Sequence, residues 1–286
     1  MILVTGAGGN VGSELVGLLQ TAKLPFRALY HSPEKARAAA ARGVDASTGD
    51  IGRPDSMAAA LKGVTQMFLV CTGGPGQPQL EIAAVEAAKK AGVRHVVKSS
   101  VLGAAEEAYV FARLNRPGEL AVESSGMAWT HLRPNGFYQN FINYFGDGLR
   151  NQSAFYSPLG PDDRQSHIDV RNVAAAAMAV LTRPGHERKA YDLTGPEALS
   201  PDDIASRLSS AIGRTVAHVR LSEDDYRSGM LQAGLPPERI DAMLNYYAWV
   251  KTGKAAGVSS AFEKLTGRKP IPFAEFAREF AGAWKS

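Results

Sequence analysis

A glycine-rich turn at the sixth residue constrains the fold more than any other feature. Ile2-Leu3-Val4 is a short apolar run, Gly6-Ala7-Gly8-Gly9-Asn10-Val11-Gly12 follows, and Leu15, Val16, Leu18, Leu19 and Ala22 then recur at helical spacing. A strand that turns this sharply into a helix needs Gly6 for the tight bend, Gly9 for close approach of a ligand to backbone amides, and Gly12 so that helix and strand can pack. The helix N-terminus adds roughly half a positive charge at the same place. The arrangement suits the pyrophosphate of a dinucleotide, so Gly6, Gly9, Asn10, Val11 and Gly12 are candidate cofactor-binding residues.

The rest of the first half repeats the alternation of short apolar runs with helical patterns. Strands are expected at Phe26 to Tyr30, Asp45 to Asp50, Gln66 to Cys71, His95 to Ser99 and Trp129 to Arg133, with helices at Glu34 to Arg42, Pro54 to Leu61, Leu80 to Ala91 and Gly118 to Ser125. This is the signature of a parallel sheet with crossover helices. After about residue 135 the sequence becomes aromatic-rich and loop-rich, with helices expected at Val170 to Leu181, Pro201 to Ile212 and Phe273 to Trp284, and a strand at Tyr191 to Leu193. The predicted fold class is α/β, a Rossmann-like doubly wound parallel sheet with a smaller C-terminal α/β substrate lobe. Residues 1–150 would form the NAD(P)-binding domain and 151–286 the lobe, with some segments exchanged between them.

The second strand ends Leu29-Tyr30-His31-Ser32, without the acid that usually accepts from the adenosine ribose about 20 residues beyond the glycines. A carboxylate there would repel a 2′-phosphate, whereas an imidazole or hydroxyl would not. NADP(H) is favoured and NAD(H) stays open, with His31 as the candidate phosphate contact and Arg27 and Lys35 as assistants.

Other classes drop out on composition. The 286 residues are 45% hydrophobic and 21% charged, ordinary for a globular chain. A net charge of +4 is spread from Arg27 to Lys285 without a basic block, so no nucleic-acid partner is expected. No apolar run approaches the ~20 residues of a membrane span, and no leader precedes the first strand, so a cytoplasmic protein outside the membrane is expected. The single cysteine, Cys71, allows no internal disulfide and reads as a core residue; the six histidines have no metal-ligand spacing, and no metal is assigned.

At this point the residues resemble the atypical short-chain dehydrogenase/reductase group that holds the NmrA-like regulators, triphenylmethane dye reductases and bacterial NAD(P)H:quinone reductases. The resemblance is carried by Val4 to Gly12, Gly49-Asp50, Ala91 to Val97, Ser125 to Phe137, and the tail Phe262 to Arg268. It implies that Asp50 and Ile51 flank the adenine, that Thr72 and Gly73 line the ribose-phosphate path, and that Pro134, Asn135 and Phe137 approach the nicotinamide, with Ser99 also near the cofactor. Asp50 has a second reading as a helix cap before Arg53-Pro54.

The wider group uses Ser, Tyr and Lys to protonate a carbonyl as hydride arrives. Aligned on Glu119, this chain has Phe111 at the tyrosine position, Asn115 at the lysine position and Val101 after Ser99-Ser100. Tyr109 and Arg113 have the spacing in another register, but arginine does not replace lysine at a ribose. Without a strong proton donor, an acceptor that disperses the added charge, such as a quinone or dye, is favoured over an ordinary ketone. Asn115 is the candidate ribose partner, and Ser100, Tyr109 or Tyr138 the candidates to hydrogen-bond the acceptor. Phe137, Tyr138, Phe141 and Tyr144 recur at helical spacing and read either as core or as a flat apolar wall for an aromatic substrate, with Gln139, Asn140 and Asn143 as polar handles. His131 reads as a core histidine and Asp169 as the cap of the helix after it.

Three functions follow. The first is an NAD(P)H-dependent oxidoreductase of planar aromatic or quinone-like substrates, as a monomer or homodimer. The second is a non-catalytic NADP(H) sensor acting through a regulatory protein partner, and the third an aromatic polyketide tailoring enzyme.

Overall fold

Seven parallel strands build the sheet in the computed structural model, which describes residues 1–285. In chain order the elements are β1 (Ile2–Val4), α1 (Asn10–Thr21), β2 (Phe26–Tyr30), α2 (Pro33–Ala40), β3 (Ala46–Thr48), α3 (Pro54–Ala60), β4 (Gln66–Leu69), α4 (Gln77–Lys90), β5 (His95–Ser99), α5 (Val110–Ser124) and β6 (Ala128–Pro134). There follow α6 (Asn140–Asn143), α7 (Gly146–Gln152), β7 (Ala154–Ser157), α8 (Val170–Thr182), β8 (Lys189–Leu193), α9 (Pro201–Ile212), β9 (Ala217–Arg220), α10 (Glu223–Gln232), α11 (Pro237–Lys251), α12 (Ala261–Thr266) and α13 (Phe273–Glu279). The strand order β3-β2-β1-β4-β5-β6-β8 reverses between β1 and β4, the doubly wound arrangement that opens a crevice at the carboxyl ends of those strands.

Alternation along each strand sends side chains to two cores. Val4, Phe68, Val97 and Leu132 meet α1 and α8 on one face, while Leu3, Met67, Leu69 and Val96 meet α3, α4 and α5 on the other. The Ala174-Ala175-Ala176-Ala177 run of α8 is buried, and its small side chains let that helix lie close along α1. Residues 170–182 and 189–193 of the second half are therefore built into the first layer. Helix α12 joins that layer on α8, α11 packs on α5, and the β7–β9 pair with α9 and α13 forms a smaller lobe with Phe273, Phe276 and Trp284 in its core.

Two differences from the sequence reading have physical causes. Helix α5 begins at Val110, eight residues before the predicted start, and carries Pro117 inside it. A proline there removes one helical bond and costs about 3 kcal/mol, which the burial of Ala112, Asn115, Gly118, Glu119 and Val122 on one face outweighs. The aromatic stretch Phe137 to Phe145 is not one helix. Phe137 bridges Ile168 and the Tyr138 amide donates to the Ile168 carbonyl, so only Asn140–Asn143 coils. Asp169 does cap α8, accepting from the Arg171 amide.

Candidate active site

The turn after β1 is held open for a ligand. Gly6 sits at φ +57°, where only glycine is unstrained, and a β-carbon on Gly12 would overlap the Gly6 carbonyl oxygen. The Gly9 amide closes the turn on Gly6 O at 2.9 Å, and Thr5 ties it to the end of β4 by bonding the carbonyl and amide of Val70, each at 2.9 Å. Gly9 is the N-cap of α1 with no side-chain cap, and Gly8, Gly9 and Asn10 are exposed. An uncapped helix start with an exposed glycine backbone fits a pyrophosphate.

The far rim of this end holds His31, exposed beyond β2, and Lys35, whose Cδ would lie 3.3 Å from a β-carbon on Gly8. A 2′-phosphate between them would meet a cation and an imidazole. Arg27 is elsewhere: at the opposite end of β2 it pairs with Asp45 at 3.2 Å and donates to the carbonyls of Ala60 and Lys62. Asp50 is not a helix cap, because Arg53 takes that position and Asp50 Oδ1 instead accepts from the Gly52 amide at 2.8 Å. Ile51 packs against the second core, and Thr72 and Gly73 are exposed on the loop after β4.

Beneath the crevice lies a charged layer that sequence reasoning missed. Lys98 on β5 and Glu81 on α4 form a fully buried ion pair at 2.8 Å. Lys98 Nζ also donates to Asn115 Oδ1 at 2.9 Å, and Gln77 Nε2 donates to the same oxygen at 3.0 Å. Asn115 Nδ2 donates to the Phe111 carbonyl. Asn115 is buried, so its amide locks α5 to β5 and α4 rather than presenting itself freely to a ribose. Gly118 is required here, since a β-carbon would overlap Glu81 Oε2. Burial pushes the Glu81 carboxyl up, against the pull of Lys98.

A second cluster on the same face joins Glu119, Glu123, His131, Arg116 and Arg133. Both carboxyl groups accept from Arg116, Arg133 pairs with Glu119 at 2.9 Å, and His131 Nε2 lies 3.1 Å from Glu123. Although Glu119, Glu123 and His131 offer converging ligand-type atoms, the two guanidinium groups already balance the carboxylates. Burial raises Glu119, but the Arg133 hydrogen bond and its neighbours outweigh that and hold it at about 2. Burial lowers His131 to about 4, so it is a neutral core residue. Cys71 is half-buried rather than core, and burial followed by Glu81 pushes its thiol up to about 11, far from a nucleophilic thiolate.

The acceptor end differs from the expectation. Tyr138 is 1% exposed, donates to the Ile271 carbonyl and packs between Phe273 and Phe276; Phe141 is buried beside it. Both belong to the lobe's core and offer no wall to a substrate, while Tyr144 is 66% exposed on the surface. Tyr109 is buried too and donates to the Leu102 carbonyl at 3.0 Å, stacking on Trp249. Ser99 and Ser100 are buried at the end of β5, Ser100 beside Glu119. Pro134 and Asn135 are buried at the end of β6, and Phe137 packs against the first core.

Instead, the groups around Gly136 come from distant segments. Asn135 Oδ1 accepts from the Gly136 amide at 2.8 Å and from Gln165 Nε2 at 3.1 Å, while its Nδ2 donates to Ser166 and Ala255. Gln165 Nε2 also donates to Tyr246 Oη on α11. Half-buried Phe111, Tyr246, Gly136 and His167 surround this point, and burial lowers His167 to about 4, leaving it neutral. The run Tyr246-Tyr247-Ala248-Trp249 was the available sequence signal for this wall.

Comparison with known proteins agrees with this architecture. Residues 1–277 match the model of the NmrA-like family. The chain is 44% identical over 285 residues to an NAD(P)H azoreductase from Xenophilus azovorans, covering 99% of each. An NADPH-dependent quinone oxidoreductase from Escherichia coli, solved with NADPH, superposes with a TM-score of 0.89 at 27% identity, over 98% of this chain and 99% of that one. A triphenylmethane reductase from Citrobacter sp., solved with NADP(H), gives a TM-score of 0.87 at 27% identity, over 98% of this chain and 100% of that one. Among the described residues no helix is long and apolar enough to cross a membrane.

Proposed function

The chain belongs to the NmrA-like family, and from that premise we propose that it is an NADPH-dependent oxidoreductase of planar, conjugated acceptors such as azo dyes and quinones, working in the cytoplasm. The observation that carries this reading is the placement of two features on one sheet edge. The exposed, uncapped glycine turn after β1 lies at the same carboxyl edge of the parallel sheet as the ends of β5 and β6, where half-buried Phe111 and Tyr246 gather. Relatives named for azo dye, quinone and triphenylmethane reduction support the acceptor class. NADPH, when bound, supplies the hydride.

The protein's own contributions are positional. The α1 amides and the glycine backbone hold the pyrophosphate, with Lys35 and His31 at the 2′-phosphate. Thr72, Gly73, Asp50 and Ile51 would line the path between, and Ser99, Pro134, Asn135 and Phe137 at the ends of β5 and β6 would hold the nicotinamide end. The Lys98-Glu81-Asn115-Gln77 lattice fixes α4 and β5 against α5. Half-buried Phe111 and Tyr246 near the ends of β5 and β6 offer apolar faces to a flat substrate. Holding the reacting atoms about 3–3.5 Å apart accounts for much of the rate that such a site can give.

The test is NADPH oxidation, followed by loss of nicotinamide absorbance with methyl red and with 1,4-naphthoquinone. Turnover with either acceptor is expected, and NADPH is expected to bind more tightly than NADH. Absence of turnover with both acceptors overturns the reading.

A further inference from the structure

We propose that Gln77, the first residue of α4, holds the nicotinamide ribose of the cofactor, its side-chain oxygen Oε1 accepting from a sugar hydroxyl. This rests on the oxidoreductase reading above and supplies the sugar contact that buried Asn115 does not. The orientation of the Gln77 amide follows from the chemistry of its neighbours. Lys98 Nζ has only hydrogens to give, so the Asn115 atom facing it at 2.9 Å is Oδ1, and Glu81 Oε1 accepts from it at 2.8 Å. Gln77 meets the same two oxygens, Asn115 Oδ1 at 3.0 Å and Glu81 Oε1 at 3.2 Å, and must turn Nε2 toward both. Both amide hydrogens are then used, and Oε1 is the atom left over.

That oxygen borders open space. Gln77 is only 6% exposed, and no donor among the described residues bonds its Oε1. Glu81 Oε2, in the same layer, is sealed in without a partner, whereas Gln77 Oε1 reaches solvent. A β-carbon built on Gly73 would meet Oε1 alone, at 3.9 Å, and one on Gly74 or Gly76 would meet nothing within 4 Å. Thr72, Gly73, Pro75 and Gly76 are exposed around it. Gly74 takes φ +149°, a backbone shape that favours glycine, so the loop reaches the start of α4 without a side chain standing in that space.

The loop lies on the cofactor's route. Thr5 ties the Val70 amide to the glycine turn at 2.9 Å, and Gly73 follows shortly after Val70. On its other side Gln77 is bonded to Asn115 of α5, the helix packed along α4 beside the end of β5. Oε1 thus stands between the phosphate turn and the nicotinamide end, where the second ribose of a dinucleotide passes. A ribose hydroxyl can give a hydrogen bond as well as take one, so a neutral acceptor can grip the sugar where an ammonium would otherwise donate to it. Lys98 and Asn115 are positioning residues: neither touches the sugar, but together they fix which end of the Gln77 amide does.

The experiment measures cofactor affinity by calorimetry for the full-length parent and for Gln77→Leu. The ligands are NADPH and two analogues that lack either the 2′- or the 3′-hydroxyl of the nicotinamide ribose. For the parent, one of the two deletions is expected to weaken binding about fivefold to tenfold, the factor that one neutral hydrogen bond contributes. In Gln77→Leu, NADPH should bind weaker by about the same factor, and the same deletion should then cost less than about twofold, because the partner of that hydroxyl is already gone. A purely structural role would weaken NADPH and the analogue equally and keep the parent's ratio between them; that result overturns the proposal and leaves the oxidoreductase reading standing. A parent that binds NADPH and both analogues equally well overturns it too. A parent that fails to bind NADPH overturns both. If Gln77→Leu fails to fold, Gln77→Asn takes its place: the same amide drawn back by one methylene group should lose the discrimination between NADPH and the analogue, and a ratio equal to the parent's overturns the proposal.

Discussion

The two ends of the crevice are built in opposite ways. The phosphate end is made by seven consecutive residues, Gly6 to Gly12, with Lys35 leaning over them from the next helix. The proposed acceptor end assembles Phe111, Gly136, Gln165, His167 and Tyr246 from four separate stretches spread over more than a hundred residues. The first is fixed by backbone shape, which allows little variation; the second is fixed by side-chain contacts, which can change as the second lobe changes. One frame can therefore keep its cofactor while the acceptor varies, consistent with relatives named for different dyes and quinones. Between the ends lies the buried charged lattice, and the sharpest tests act on it and on each end separately.

The largest effect is expected at the lattice, which ties β5 to α4 and α5. Lys98→Met leaves Glu81 buried beside Gly118 without its cation, and should cost about 3–5 kcal/mol in urea unfolding, the range for breaking one half of a buried pair. The double variant Lys98→Met, Glu81→Leu should recover most of that. Failure to recover would mean that the Asn115 and Gln77 bonds, not the ion pair, hold these elements together.

Next comes the turn itself. Gly12→Val forces a branched side chain into the Gly6 carbonyl and should cost about 1–3 kcal/mol of overpacking while lowering NADPH affinity at least a hundredfold by calorimetry. Acceptor binding to the cofactor-free chain should be unchanged if the ends are as separate as their construction suggests. Joint loss of both would break the contrast.

Acid should act on one end before the other. His131 is lowered from 6.5 to about 4 in the fold, so its contribution is present above 6.5 and is lost as pH falls through about 4, because the unfolded chain binds the proton first. At 1.36 kcal/mol for each pH unit below 6.5, about 2 kcal/mol is gone by pH 5. Glu119, lowered from 4.5 to about 2, adds a loss of the same sign between those values. His131→Gln should flatten the pH 7 to pH 5 stability change by about that 2 kcal/mol. Hydrogen exchange at pH 5 should open α5 and β6 before β1 and α1, and the reverse order would place the acid-sensitive region wrongly.

What was legible in the sequence follows the same division. The turn, the approximate positions of the first six strands and the Asp169 cap depend on neighbours within a few positions, and periodicity or glycine spacing reports them. Helix α5 was misjudged because Pro117-Gly118 looks like a helix start; its true start is fixed by burial against α4. Tyr138 was misassigned because spacing places it on an aromatic stripe but cannot say which lobe the stripe faces. Lys98 and Glu81 lie seventeen positions apart on different elements, and nothing local in either marks a buried pair. Helix α11 went unread although Pro236-Pro237-Glu238 stands at its start, and the contact of Tyr246 with Gly136 is a tertiary fact.

The smallest effect sharpens the assignment of tyrosines. Tyr138→Phe removes one hydroxyl that bonds the Ile271 carbonyl at 3.3 Å inside the lobe core, leaving the ring between Phe273 and Phe276 in place. The long bond suggests a cost of about 1 kcal/mol in unfolding free energy, the mean for one buried hydrogen bond. Because the hydroxyl faces the C-terminal segment and not the ends of β5 and β6, kcat and KM with either acceptor should match the parent. A kinetic defect in Tyr138→Phe larger than about twofold, with NADPH affinity intact, would move the acceptor to the lobe core and remove the contrast between a backbone-built end and one assembled from distant side chains.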